Sequence, residues 1–134
     1  MILIVVILYN LAFFGGGLAG QHDMQGLLDH SFAITMFSGD VWRVTVSDVF
    51  ELLALLMLFI EIVKAARHDS REILNHAFAM LTFCLALVEF IVMKGFSTSA
   101  FFLITAMCLF DVVAGYSISI VAARRDVVEV PERE

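Results

Sequence analysis

The sequence predicts an all-α fold: a polytopic membrane protein with four transmembrane helices in an up-down bundle and a short interfacial amphipathic helix between the first two. Three observations lead there. Hydrophobic residues make up 61% of the 134, charged residues only 16%, and mean hydropathy is +0.96, well above the apolar fraction of about one half found in soluble domains. Apolar runs near the roughly 20 residues that cross a bilayer's hydrocarbon recur at 2–20, 44–66, 71–94 and 100–123. Three of these runs carry carboxylates, which lipid penalises and which therefore turn toward a bundle interior or an aqueous cavity.

The first run, ILIVVILYNLAFFGGGLAG, has no Lys or Arg ahead of it, which favours a retained helix over a cleaved signal peptide. Gly16 and Gly20 have the GxxxG spacing that lets two helices approach closely, a candidate packing seam. Residues 21–43 are too polar to span. A helix over 24–37 would put Met24, Leu27, Leu28, Phe32 and Ile34 on one face and Gln25, Asp29 and His30 opposite, the pattern of a helix lying in the headgroup layer with Trp42 as its anchor. His22, Met24, Asp29 and His30 match no ligand motif, so no metal is expected there.

The second span, VTVSDVFELLALLMLFIEIVKAARH over 44–68, organises the chain. At 3.6 residues per turn Asp48 lies about +60° and Glu61 about −80° from Glu51, so all three acids fall within less than half the circumference. Leu52, Leu53, Leu56, Phe59, Ile60 and Val63 form the opposite, lipid-compatible arc. Lys64 can pair with Glu61 or snorkel to the headgroups. The short charged turn at 66–72 predicts that the next helix is an antiparallel neighbour.

On the third span Asn75, Ala79, Thr82, Ala86 and Glu89 share a polar and small-residue stripe, with His76 well off it, against another helix or near the membrane surface. Gly95 marks a helix stop and Ser97 or Ser99 a cap for the fourth span. There Cys108, Asp111, Gly115, Ser119 and Ala122 converge on one side, so Ala86 and Gly115 join the expected packing seam. Cys84 and Cys108 both fall in apolar runs and read as small buried residues. Residues 124–134 form a polar tail.

Lys64, Arg67, Arg71, Arg124, Arg125 and Arg133 fall on one side of this topology and Arg43 and Lys94 on the other. The positive-inside rule then predicts a multi-pass protein of the cell membrane with both termini cytoplasmic. Counted from the cytoplasmic ends at about 1.5 Å per residue, Glu51, Glu89 and Asp111 lie at roughly 22, 27 and 20 Å. They form a layer in the outer half, with Asp48 nearer the surface, Lys94 as a basic partner, and Glu61 shallow on the inner side.

Two functions fit. The first is an interaction module, a bundle whose polar seams hold it in a homo-oligomer or against other membrane subunits. The second is a proton or cation channel or transporter through Glu51, Glu89 and Asp111, continued by Glu61 and Asp48. No enzyme is expected, and no cofactor. The nearest approach to a paired Glu-x-x-His motif is Glu72 with His76, which has the wrong spacing, and phosphate loop, nucleophile elbow and CxxC are missing. A net charge of −6 with no basic face excludes nucleic acid as a partner.

Overall fold

The computed structural model describes residues 1–18, 24–65 and 72–128, with side chains at 1–15, 24–65 and 74–121. In chain order these residues form α1 (Leu3–Leu18), α2 (Met24–Leu28), β1 (Ser31–Thr35), β2 (Val41–Thr45), α3 (Val46–Ala65), α4 (Glu72–Val92) and α5 (Ser99–Val128). The protein is mostly helical. Leu74–Val92 and Ser99–Val121 are long and apolar enough to cross a membrane. The apolar part of α1, Leu3–Gly15, is shorter, and any 18-residue window of α3 includes at least three of Asp48, Glu51, Glu61 and Lys64.

The expected helix over 24–37 is replaced by α2 and an antiparallel hairpin, so the fold is not purely α. Phe32 pairs with Val44 and Ile34 with Trp42. The reason is local: SFAIT and VWRVT are rich in the β-branched and aromatic residues that suit a pleated surface. Between them Gly39 takes φ +90, its N–H donating to the Met36 carbonyl at 2.9 Å while the Met36 N–H donates to Asp40 at 2.8 Å. That is a tight three-residue loop with glycine in the left-handed position. The 3.6-residue reading grouped Phe32 and Ile34 correctly, because residues two apart also share one face of a strand.

α5 is the hub. It packs along both α3 and α4, while α1 also rests against both of these. The two helices expected to be neighbours, α3 and α4, make no substantial contact among the described residues. α5 separates them because its buried side is continuous: Phe101, Ile104, Thr105, Cys108, Asp111 and Val112 are all buried, at the three- and four-residue spacing that keeps side chains on one face. α3 contributes Ala54 and Leu58 to the core and α4 contributes Thr82 and Ala86. Of the arc expected to face outward on α3, Leu52, Leu56, Phe59 and Val63 are exposed, whereas Ile60 is half-buried and Leu53 packs against the core. Cys84 is exposed, contrary to expectation, because it lies off the Thr82–Ala86 stripe.

α5 starts one residue from the expected caps. Thr98 takes the role, its Oγ accepting from the Phe101 N–H at 3.2 Å, the bond an N-cap side chain makes to the third helical residue. The helix runs on through Val128, so 124–128 extend it instead of forming tail. Gly95, with φ +92, follows the end of α4 as a helix stop. Gly20, His22, the turn at 66–71 and residues 129–134 lie outside the described residues.

Candidate functional site

The acidic residues are placed in four different settings, and among the described residues no hydrogen bond or ion pair joins Glu51, Glu89 and Asp111 to one another. Asp48 is a capping residue. Its carboxylate accepts from the Thr45 N–H at 2.7 Å and the Thr45 hydroxyl at 2.8 Å, and the Asp48 N–H donates back to Thr45 Oγ at 3.1 Å. This reciprocal pair closes the first turn of α3.

Glu51 is half-buried and accepts from Ser47 Oγ at 3.2 Å, one turn earlier. Glu89 accepts from Asn10 Nδ2 at 2.9 Å, and the same amide nitrogen donates to the Val6 carbonyl at 3.0 Å. This pair ties α1 to α4 and sits in a groove of about 240 Å³ that also involves Val6, Leu11, Phe14, Thr82 and Leu85. The groove is apolar apart from Asn10, Glu89 and Thr82. Lys94, the expected basic partner of the acidic layer, is exposed and forms no ion pair among the described residues.

Asp111 belongs to the other end of the bundle. It is 5% exposed, and no hydrogen bond from a described residue reaches its carboxylate. Its charged neighbours are Glu61 of α3, the Met1 ammonium ahead of α1 and His76 of α4. Glu61 is ion-paired with that ammonium and not with Lys64. Counting residues from helix ends had grouped Asp111 with Glu51, because rise alone cannot fix how far one helix slides along another.

His76 is the residue that sequence reasoning undervalued. Its Nε2 and Ser119 Oγ are 2.7 Å apart, and its ring stacks on Tyr116 at 5.7 Å between centroids. A Cβ on Gly115 would lie 2.5 Å from His76 Nδ1. Gly115 is therefore a close-approach position, and what approaches is an imidazole. Periodicity flagged Gly115 and Ser119 on one stripe but had no means of pairing them with His76 on another helix.

The opposite end is sealed by aromatics. Tyr9 is fully buried, its hydroxyl 2.6 Å from Thr98 Oγ, with Phe101, Phe50 and Phe96 packed around it at 4.7, 5.4 and 5.7 Å. No family model, curated protein or solved structure matches the chain. Function is therefore argued from geometry alone. No cluster of three or more His, Cys, Asp or Glu side chains suited to a metal ion occurs among the described residues.

Proposed function

We propose that the chain is a small multi-pass membrane protein acting as a helix-packing interaction module, in a homo-oligomer or as an accessory subunit of a membrane complex. In this reading α1 and α3 cross the bilayer alongside α4 and α5, with both termini cytoplasmic. Exposed Leu74, Phe78, Leu81, Leu85 and Val88 of α4 suit contact with lipid or with other membrane helices. The observation that carries the interaction role is Glu89. An ionised carboxylate can accept about four hydrogen bonds, and Glu89 receives one, from Asn10, on the wall of a groove open to the side. A carboxylate at membrane depth is costly unless protein covers it, and a helix entering this groove would supply the cover and the missing donors.

Mass measurement of the protein in mild detergent tests the proposal. The parent should appear as an oligomer or with a co-purifying membrane subunit. Glu89→Leu should weaken the assembly by about 1–2 kcal/mol, or roughly 5- to 30-fold in association constant, the scale of a polar contact between membrane helices. A clean monomer without partners would overturn it.

A second reading, a proton or cation pathway, is supported by the burial of Asp111, on which Glu61 of α3 and His76 of α4 act electrostatically. Flux into proteoliposomes, compared for the parent, Glu51→Gln, Glu61→Gln and Asp111→Asn, decides it. Flux that is absent, or the same in all four, removes this reading.

A further inference from the structure

We infer that the β1–β2 hairpin lies flat on the phospholipid interface, with its apolar face seated among the upper acyl chains; this rests on the reading that the helices cross a bilayer. The register divides the hairpin into two unlike faces. Phe32, Ile34, Trp42 and Val44 lie on one, and Ser31, Ala33, Thr35, Arg43 and Thr45 on the other together with Val41. The bundle leaves the apolar face largely uncovered: Phe32 is 70% exposed and Trp42 54%, and Phe37 in the connecting loop is completely exposed.

The hairpin's base is nevertheless fixed. Met24 and Leu28 of α2 are buried in the bundle core. At the other side β2 passes into α3 with no intervening residue, and the Val46 N–H donates to the His30 carbonyl at 2.9 Å. The hairpin therefore sits where α3 begins, and its apolar face is joined through the backbone to the exposed Val49, Leu52 and Leu56 flank of that helix. If that flank meets acyl chains, the hairpin lies at the height of the glycerol and headgroup layer. Tryptophan suits that layer because its ring is apolar while its N–H needs a polar partner, and Arg43 on the opposite face is placed for phosphate. A second copy pairing along an open strand edge is the rival occupant.

Trp42 is the single tryptophan of the chain, so its fluorescence reports this site alone. The full chain is reconstituted into phosphatidylcholine–phosphatidylglycerol vesicles, with bromine either near the headgroup end or near the methyl end of the acyl chains. Headgroup-end bromine should quench Trp42 about twofold and methyl-end bromine much less, with iodide in the buffer having little effect. Phe32→Ser with Ile34→Ser should raise iodide quenching, whereas Thr35→Ser should not. If vesicle flotation shows insertion while Trp42 escapes both bromines and is open to iodide, the hairpin proposal is overturned and the membrane reading stands. Protection from bromine and iodide together would place a second copy there and overturn it equally. Failure to float with the vesicles overturns the membrane reading itself.

Discussion

Gly115→Ala gives the sharpest test of how the bundle is packed. Helix propensity alone favours the change by about 1 kcal/mol, since alanine has less backbone freedom to lose. The structure predicts the reverse. The new methyl carbon would lie 2.5 Å from His76 Nδ1 and 2.6 Å from Cε1, and what it meets is a planar ring held by Ser119 and stacked on Tyr116, not the loose end of a chain. Overpacking of this kind costs about 1–3 kcal/mol, and displacing the ring also loses a hydrogen bond worth about 0.5–1.5 kcal/mol net. After the propensity gain, a destabilisation of about 0.5–3.5 kcal/mol remains. Cys108 offers the readout, because it is fully buried two turns away on the same stripe. In a Cys84→Ala background its thiol reacts only when the bundle opens, so Gly115→Ala should accelerate labelling in mild detergent roughly 2- to 400-fold. Gly15→Ala is the control, since nothing lies within 4 Å of its added carbon, and labelling there should be unchanged or slower. Combining Gly115→Ala with His76→Ala should cost less than the two changes summed. Unchanged or slower labelling in Gly115→Ala itself would refute the close approach.

Gly95→Ala combines a left-handed backbone, φ +92, with a contact 2.5 Å from Phe13 Cε2. It should cost about 2 kcal/mol or more, and Phe13→Ala should relieve the contact but not the backbone part, read by the same Cys108 labelling. Tyr9→Phe removes the bond to Thr98 but leaves the Thr98 cap on Phe101, so a loss of about 0.5–1.5 kcal/mol is expected; a loss above about 3 kcal/mol would contradict that assignment. Asp48→Ala removes both bonds that the carboxylate accepts from Thr45, so amide protection at the start of α3 should fall in hydrogen exchange at constant pH; unchanged protection would contradict the capping role.

The four long helices were legible because each is a long apolar run bounded by charge or glycine. The segment between α1 and α3 was misread because one face of a strand and one face of a helix can select the same residues over a short stretch, and only the length and the Ser38–Gly39–Asp40 turn distinguish them. Asp48 carried its own signal: Thr45-x-x-Asp48 is the spacing of a capping box, masked by reading every acid of α3 as one set. Glu89 stood out in the sequence as an acid on a small-residue stripe, but its partner, Asn10, lies 79 residues away on α1. Which acid of α3 acts on Asp111 depends on the axial shift between α3 and α5, which no periodicity records. The seal around Tyr9 escaped notice for the same reason, since its rings come from α1, α3, α5 and the turn before α5.

The position of α5 bears on how the chain assembles during synthesis. α1, α3 and α4 leave the ribosome before it, and α1 touches both α3 and α4, yet their most extensive shared packing partner arrives last. Until then the sides of α3 and α4 that pack on α5 are uncovered. A nascent chain halted before α5 would therefore leave those surfaces open, making the interval before α5 emerges the moment of greatest exposure to mispairing.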